Sequence, residues 1–405
     1  MAITILATPK DFAPVYNKME YLIESDNYTE PNFAHLVDIY INGSVTKTVR
    51  LRIPVRPSDN YGKVDIHRVL ESALTSNVGN PDPTADAGTY EASNSSLTYI
   101  VKFGEEYGAT VVQYPDLTID SSRSAFNASL EKRPFINWDV TEYEFTIFGG
   151  TKKFITNMPD NHKVSINSHG WLYYKTDAPL FNFQVITKDS AGATINTFEI
   201  DPSASSGEIQ FVPSSPASLN SIDNANLLAG VQPIIDSTVA SYTILAKSNA
   251  LAPASETRTF VIEESCKYNT NTLIFQNNLG AFDNFTFYLG DESMTKIEKK
   301  DMKVNVDTVV GTDIVYSMNE REKVTYYTKK SETIKLMSDW ISEEESNWLL
   351  ELMSSPEIYL QEGNELTAVA KIKASSYTKK KVVREKLFKI DVELELGYDD
   401  YRQRI

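Results

Sequence analysis

Apolar and charged residues alternate most regularly over residues 388–396. Five apolar side chains occupy every second position, and four charged side chains lie between them. The apolar residues are Phe388, Ile390, Val392, Leu394 and Leu396, and the charged residues are Lys389, Asp391, Glu393 and Glu395. Because successive side chains of a β-strand point to opposite faces, this pattern predicts a strand with one buried face and one charged face.

Residues 273–289 predict a β-hairpin with one aromatic face. An apolar run is followed by Asn277, Asn278 and Gly280, residue types that tolerate positive φ. Apolar residues then alternate with polar ones, and the apolar members are Phe285, Phe287 and Leu289. An isolated hairpin is marginally stable in water, so we expect other strands to pack on this face.

Residues 1–137 are predicted to form an N-terminal β-rich domain. A hairpin is expected over 33–54, because apolar runs flank Asn42-Gly43, a dipeptide typical of type I′ turns. A short amphipathic helix is expected over 65–74, with Asp65 as its candidate cap. The domain is therefore expected to combine a hairpin with a short helix.

The rest of this domain predicts a loop and a strand pair. The segment 77–96 is rich in Asn, Pro, Gly and Ser, which indicates a long loop that is either mobile or used for contact. Residues 97–103 and 109–114 predict two strands around a turn at 104–108.

Residues 138–263 are predicted to form a β-sandwich domain. Short β patterns separated by clusters of Gly, Pro, Asn and Ser are typical of such sandwiches. The predicted strands cover 143–148, 154–157, 171–174, 181–187, 194–200, 209–212, 242–247 and 257–263. A hairpin turn is expected at 189–192, and the lack of a fixed repeat argues against a solenoid or propeller.

Residues 264–405 are predicted to form an α+β domain. Ser342 and Glu345 fit a capping box, in which each side chain accepts the main-chain N–H of the other residue. The apolar stripe of the helix consists of Trp348, Leu349, Leu352 and Met353. This stripe predicts contact with a neighbouring sheet. We therefore expect a multi-domain protein that is mainly β with a few short helices.

Composition restricts the class of function. The 405 residues include 39 Lys and Arg against 55 Asp and Glu, so a net charge of -16 makes the chain as a whole repel nucleic acid. Cys266 is the only cysteine, which excludes an intrachain disulfide. The first residues lack the pattern of a signal peptide or membrane anchor, so neither is expected. The Asn-x-Ser/Thr sequences are accordingly interpreted as turns.

The residues that could carry chemistry form no recognisable site. The four histidines, at 35, 67, 162 and 169, follow no metal-ligand spacing. Acid pairs such as Glu105-Glu106 and Asp399-Asp400 would suit glycoside cleavage only at the right separation in space. Phosphate-loop, Rossmann and nucleophile-elbow sequences are absent. We therefore predict no catalytic residue, no metal ligand and no cofactor.

Charged clusters in the last third of the chain are candidate interface residues. The main cluster lies beside the last predicted strand and comprises Lys379, Lys380, Lys381, Arg384, Lys389, Asp391, Glu393 and Glu395. A second, basic cluster comprises Lys296, Lys299, Lys300 and Lys303. Two interpretations stay open: a charged edge that prevents unwanted strand pairing, or a patch for an acidic partner chain or packaged DNA.

Three segments carry a resemblance to known proteins. They are PNFAHLVDIYINGSVTKTVRLRIPVRPSDNYGKVDIHRVLES (31–72), TLIFQNNLGAFDNFTF (272–287) and SDWISEEESNWLLELMSSPEIYL (338–360). In this order they resemble structural proteins of tailed phages that infect Bacteroidetes bacteria, including crAss-like phages. The resemblance implies a protomer of a symmetric ring or hub near the portal and tail, made in the host bacterial cytoplasm, and it brings no active-site residue.

The resulting hypothesis is a non-enzymatic structural protein of the virion. Such a subunit would form a homo-oligomeric ring and bridge portal, tail or other ring proteins, with indirect contact to packaged DNA as a further expectation. One alternative is a receptor- or carbohydrate-binding tail or fibre protein that exposes Trp138, Trp171, Tyr173 and Tyr174; the opposing interpretation places these rings in the sandwich core. The other is a tail-associated wall-degrading enzyme.

Overall fold

The computed structural model describes residues 3–81, 88–146, 150–176, 181–202, 208–248, 252–263, 270–304, 308–315, 318, 321–373 and 388–401. Over these residues the chain is mainly β, with several sheets and a few short helices, as predicted. It divides into two compact units. Unit 1 consists of Met1–Glu263 with Phe275–Asn284, and unit 2 consists of Glu264–Ile274 with Phe285–Ile405. The division into three domains stays a prediction.

The first part of unit 1 contains two sheets. Its elements are β1 (Ile3–Ala7), β2 (Ala13–Pro14), β3 (Glu20–Ser25), β4 (Ala34–Ile41), β5 (Val49–Ile53), β6 (Gly62–Asp65), α1 (His67–Glu71), β7 (Tyr90–Glu91), β8 (Ser96–Tyr107), β9 (Val112–Ile119), β10 (Arg123–Phe126) and α2 (Lys132–Ile136). Strands β1, β3 and β6 form one sheet. Strands β2, β10, β8, β4 and β5 lie side by side in the other, where β9 also pairs with β8.

Apolar side chains of both sheets form the first core. Tyr21 of β3 meets Phe103 of β8 edge to face, with ring centroids 5.3 Å apart. Buried and half-buried residues alternate along β3 and along the first half of β8, so each strand turns one side inward. Ile23, Val37 and Val101 are fully buried in this core.

The predicted hairpin of β4 and β5 is confirmed, with a longer connection than expected. Asn42 and Gly43 have positive φ values of 52° and 68°, as a type I′ turn requires. Strand pairing resumes only at Val49, which lies opposite Ile39. The connection therefore includes several residues beyond the tight turn.

The predicted helix at 65–74 is shorter in the structure, and its cap differs. Helix α1 begins after Ile66, which makes no side-chain capping hydrogen bond. The carboxylate of Asp65 instead accepts the main-chain N–H of Met19 at 3.0 Å and that of His67 at 3.3 Å.

The turn expected at 104–108 was wrong, because β8 continues to Tyr107. Gly104 lies where β9 comes close: a Cβ atom added there would be 2.5 Å from the carbonyl oxygen of Tyr114. The pairing of β8 with β9 shifts its register at this point. Gly104 therefore serves close strand approach within a bulge, and the turn lies further along the chain.

The second part of unit 1 is a β-sandwich, as predicted. Its elements are β11 (Glu144–Phe145), β12 (His162–Val164), β13 (Trp171–Thr176), β14 (Asn182–Lys188), β15 (Thr194–Ile200), β16 (Ile209–Pro213), α3 (Pro216–Asn220), β17 (Leu227–Ala229), β18 (Ser241–Lys247) and β19 (Arg258–Ile262). One sheet has the order β11-β13-β16-β7, and the other has the order β12-β19-β18-β14-β15-β17.

Aromatic rings fill the space between the sandwich sheets. Tyr174 of β13 packs against Phe183 of β14 with ring centroids 5.0 Å apart, and it stacks on Phe145 at 5.2 Å. The hydroxyl of Tyr242 donates to the carbonyl oxygen of Ser214 at 2.7 Å. The two sheets are thus joined by packing and by a buried hydrogen bond.

The strand predicted at 154–157 was wrong. Only Lys152, just before it, forms an isolated bridge, to Ser255. Phe154 is nevertheless buried and meets Phe145 edge to face at 5.3 Å, so the apolar run marks core contact without strand pairing. The turn at 189–192 is confirmed, since the N–H of Gly192 donates to the Asp189 carbonyl.

The remaining elements build an eight-stranded sheet, a separate two-stranded hairpin and two short helices. They are β20 (Asn271–Gln276), β21 (Phe282–Phe287), β22 (Asp291–Lys303), β23 (Thr308–Val310), β24 (Asp313–Val315), β25 (Lys323–Met337), α4 (Glu343–Trp348), α5 (Leu350–Ser354), β26 (Ile358–Glu362), β27 (Glu365–Ile372), β28 (Asp391–Leu396) and β29 (Asp400–Tyr401). The sheet has the order β21-β20-β26-β27-β28-β25-β22, and β29 also pairs with β25.

The hairpin of β20 and β21 is confirmed, but it is buried on both faces. All six residues of β21 are buried, so the prediction of one aromatic face was too narrow. Its polar side chains have partners: Asp283 accepts the Thr156 hydroxyl at 2.8 Å, and Asn284 donates to the Ser215 hydroxyl oxygen at 2.9 Å. Burial of polar groups is tolerated here because they are hydrogen-bonded.

The predicted capping box at the start of α4 is confirmed. The N–H of Glu345 donates to the Ser342 hydroxyl at 3.1 Å, and the N–H of Ser342 donates to the Glu345 carboxylate at 2.7 Å. Trp348 packs against Phe285 with ring centroids 6.1 Å apart, and Leu352 is fully buried. The apolar stripe is therefore a core contact within unit 2. None of the helices in the described ranges combines the length and apolar character needed to span a bilayer.

Candidate assembly interface

The longest strand pair in the described part of the chain lies in unit 2. β22 and β25 pair antiparallel along their length, from Asp291 opposite Leu336 to Lys303 opposite Lys323. All thirteen residues of β22 are exposed. We call β22, β25 and the described residues between them the arm.

The outer edge of β22 is open. In the part of the chain that the structure describes, β22 pairs only with β25 and ends the order of its sheet. The N–H of Val304 donates to the Glu322 carbonyl at 2.8 Å, so the main chain of even-numbered residues is directed toward β25. Because hydrogen-bonding direction alternates along an antiparallel strand, odd-numbered residues present their N–H and C=O groups to the open edge. An edge of this kind is a template for another strand.

Large apolar side chains lie on both faces of the arm. Met294 is 61% exposed and Ile297 is 60% exposed, and Met302 and Tyr326 are exposed as well. Monomeric proteins leave single apolar residues on their surface, but Met294, Ile297 and Met302 all lie on β22, the strand that ends the sheet. The arm thus combines free main-chain groups with apolar side chains that contact with a partner would bury.

The charges of the arm are only partly paired within it. Asp301 accepts the Thr325 hydroxyl at 2.6 Å and forms an ion pair with Lys323 at 3.0 Å, and these two contacts lower its pKa. The ammonium group of Lys300 lies 4.9 Å from the ring centroid of Tyr327. Among the described residues, Lys296 forms no ion pair. This charge stays available to an acidic partner group.

The predicted interface residues on β28 are already paired within unit 2. Asp391 lies 4.0 Å from Lys335, Glu393 lies 3.1 Å from Lys373, and Glu395 lies 3.4 Å from Lys371. The predicted alternation is confirmed, since Val392 and Leu394 are fully buried. Lysines of neighbouring strands therefore balance the acidic face of β28.

The other predicted interface residues lie apart from this face or outside the described residues. Lys389 is exposed just before β28. Lys379, Lys380, Lys381 and Arg384 fall within 374–387, outside the described residues. The second basic cluster, at positions 296, 299, 300 and 303, lies wholly on β22. The structure thus places one predicted cluster on the arm.

The proposed aromatic platform is not on the surface. Trp171, Tyr173 and Tyr174 are buried in the sandwich, where Tyr173 also meets Phe211 at 4.9 Å. Trp138 is half-buried, and its indole N–H donates to the carbonyl oxygen of Phe12 at 2.9 Å. The interpretation that these rings fill the core is therefore confirmed for the three residues on β13.

The acid pairs singled out by sequence have structural partners. Glu105 is fully buried and accepts the Ser25 hydroxyl at 2.5 Å, and Glu106 pairs with Arg52, which lowers the pKa of Glu106. Asp399 lies 2.7 Å from Lys329, and Asp400 lies 3.9 Å from Lys330. These carboxylates join strands to one another.

The histidines and acids of the described segments form no cluster of three or more groups that could hold a metal ion. His35 is fully buried and packs edge to face on Phe33 at 4.9 Å, and burial lowers its pKa to about 4. His162 is also buried, and burial lowers its pKa to about 3. Both rings are therefore neutral at pH 7 and belong to the core.

No protein-family model matches the chain, and no curated protein matches it. The class that the fold defines is a mainly β protein of two compact units, one of which carries an exposed arm.

Sequence reasoning found the lysines of the arm but missed the arm itself. Periodicity identifies a strand by its buried face, and β22 has none. A weaker signal was present in the run Val324–Thr328, where β-branched and aromatic residues favour a strand. A strand predicted there would have implied a partner strand across the intervening loop.

Proposed function

We propose that the chain is a non-enzymatic structural component of a tailed-phage virion that self-associates in a ring or hub of the neck or tail. The observation that carries the proposal is the arm: a long strand, β22, whose outer edge has no partner strand in the described part of the chain and which bears exposed apolar and charged residues. Folded proteins shorten, cover or bend such edges unless they are used. Assembly with neighbouring subunits is a use that fits its length.

The three segments that resemble phage structural proteins support this proposal. In the structure they form a hairpin with a short helix, the hairpin buried on both faces, and the capped helix with its flanking strand. All are scaffold elements, whose residues contribute packing, turns and capping. They position surfaces, which is what a subunit of a symmetric assembly needs.

The partners in this proposal are further copies of the chain and the portal, tail or ring proteins beside it. The protein would be made in the host bacterial cytoplasm and end in the virion. Lysines of β22 would meet acidic groups of neighbouring chains, and indirect contact with packaged DNA is part of the proposal.

A receptor- or carbohydrate-binding role has less support. The aromatic residues assigned to its platform are buried or half-buried, so a sugar ring could not stack on those of β13 without opening the sandwich. A wall-degrading role has no better basis, since the acid pairs considered for it are engaged in ion pairs and hydrogen bonds.

Mass spectrometry of purified virions tests the proposal. Particles of the phage that encodes the chain are banded, washed and quantified against labelled peptides, with a replication protein of the same phage as the control for carry-over. We expect a fixed number of copies per particle, and images of the purified chain should show a closed oligomer. Washed, infectious particles without the chain would refute the proposal.

A further inference from the structure

The charge sequence of β22 is complementary to itself. Consider two antiparallel copies of β22 that are related by a two-fold axis through Ile297. A residue of one copy then lies opposite the residue of the other copy that is equally far from Ile297 on its other side. Asp291 then faces Lys303 of the other copy, and Lys296 faces Glu298. Each of these pairs occurs twice, so four opposite-charge pairs form and no like charges face each other.

Neighbouring registers lack this property. Moving the axis to Thr295 places Glu292 opposite Glu298, and moving it to Lys296, Glu298 or Lys299 places that charged residue opposite itself. Like charges directly opposite each other destabilise a strand pair. Among two-fold registers that pair at least nine residues of β22, only the axis at Ile297 avoids them, and that register also pairs all thirteen residues.

The main chain of β22 suits the same register. Odd-numbered residues, including Ile297, direct their N–H and C=O groups to the open edge, so the central pair would exchange two hydrogen bonds. The register shift between β22 and β25 adds Tyr326 on β25 and leaves β22 regular. A regular thirteen-residue edge can therefore form an uninterrupted ladder.

We infer that β22 pairs antiparallel with β22 of a second copy of this chain, with the two-fold axis at Ile297. The pairing joins two arms into a continuous four-stranded ribbon, β25-β22-β22-β25, and it is isologous. This strand pairing rests on the self-association in the proposed function, and it specifies the surface through which two copies associate. A ring would need an additional, heterologous surface elsewhere on the chain.

Charge reversal tests the register directly. Lys296→Glu places two carboxylates opposite each other at both symmetry-related positions, and Glu298→Lys does the same with two ammonium groups. A mixture of the two variants restores opposite charges at both positions. We expect each single variant to raise the dissociation constant of the dimer about tenfold, and the mixture to recover the wild-type value. Sedimentation equilibrium measures the constants, and native mass spectrometry of the mixture counts the mixed dimer.

Lys299→Glu is the matched control, because it makes the same charge change on the same strand but faces Thr295 in the inferred register. We expect its dissociation constant to stay within about threefold of wild type. Circular dichroism checks that the variants, all at exposed positions, keep their fold.

Three results would overturn the inference. They are a wild-type chain that stays monomeric at high concentration, single variants that associate like wild type, and a mixture that associates no better than its components. A wild-type chain that oligomerises while the charge variants have no effect would overturn this register and leave the proposed function standing. Absence from virions would instead refute the virion role and leave the register test unaffected.

Discussion

The buried hairpin, β20 with β21, and the arm are both antiparallel strand pairs, but they differ in what covers them. Every residue of β21 is buried, whereas every residue of β22 is exposed. β21 carries aromatic residues and hydrogen-bonded polar groups, and β22 carries charges of both signs with two methionines. The same backbone pairing therefore serves the stability of the folded chain in one place and contact with other chains in the other.

The difference in burial between β21 and β22 predicts which substitutions change the free energy of unfolding. Residues of the buried hairpin should contribute to the free energy of unfolding, and residues of β22 should change association without changing unfolding. Four predictions test this division and are ordered from the largest expected effect to the smallest. Each has a control in which a residue at another position is replaced by the same amino acid.

Phe287→Ala should lower the free energy of unfolding most. Phe287 is fully buried and packs edge to face on Phe285 at 5.0 Å, so removing the ring leaves a cavity and costs about 3 to 5 kcal/mol. Ile297→Ala on the arm should change it by less than about 0.5 kcal/mol. Urea titrations monitored by tryptophan fluorescence measure both, and equal losses would contradict the comparison.

Gly280→Ala should be the next most damaging. Gly280 has a φ of 81°, and a Cβ atom there would lie 1.9 Å from the carbonyl oxygen of Asn127, so we expect a loss of about 2 to 4 kcal/mol. Gly311, near the end of the arm, has a φ of 67° and no atom within 4 Å of the added Cβ. Gly311→Ala should therefore cost about 1 kcal/mol or less, from backbone strain alone. The thermal midpoints of the two variants give the comparison.

The buried ring of His35 should make unit 1 less stable in acid. Burial lowers the pKa of His35 to about 4 from its ordinary value of about 6.5, so between these pH values the unfolded chain binds a proton that the folded chain does not. Its contribution to stability is complete above about pH 6.5 and is lost as the pH falls toward 4.

The expected loss from His35 between pH 7.5 and 5 is about 2 kcal/mol. His35→Leu removes the titrating group and should lose less stability over this range than wild type, while His67→Leu, at a half-buried helix start, serves as the control. Guanidinium titrations at both pH values measure the difference. An identical pH dependence in wild type and His35→Leu would show that the ring is protonated in the folded chain.

Ser342→Ala should have the smallest effect of the four on unfolding. It removes the hydroxyl that accepts the Glu345 N–H, which costs about 1 kcal/mol at a helix start. Ser293→Ala on β22 removes an exposed hydrogen bond to Glu332 and should cost less than about 0.5 kcal/mol. Differential scanning calorimetry compares the two, and a larger effect of Ser293→Ala would reverse the assignment.

Sequence patterns predicted the buried parts of the fold better than the exposed parts. Strand β28 and the capping box were predictable, because alternation and cap chemistry depend on neighbouring residues alone. The run at 154–157 was misread as a strand, since apolar residues mark burial whether or not a strand forms. Gly104 was misread as a turn for a related reason: close strand approach also favours glycine.

The roles of polar residues in the buried hairpin depend on contacts distant in sequence. Asn277 was predicted to supply a positive φ. In the structure its side chain accepts the N–H groups of Leu279 and Ala281 and donates to the carbonyl of Ile155. Sequence alone could locate this turn but could not reveal the long-range partner.

The candidate interface was beyond sequence reasoning for a different reason. The self-complementary charges of β22 can be read from the sequence, but they acquire meaning only when the strand is known to be an open edge. The acidic residues of β28 appeared equally available and prove to be paired with lysines of adjacent strands.

Hydrogen–deuterium exchange of the purified chain, measured well below and well above the concentration at which it oligomerises, tests the central claim most directly. We predict that the odd-numbered amides of β22, which face the open edge, exchange rapidly in the dilute sample and become protected in the oligomer, while amides of β21 stay protected in both. An oligomer in which β22 exchanges as rapidly as in the monomer would contradict the claim that the arm is the assembling surface.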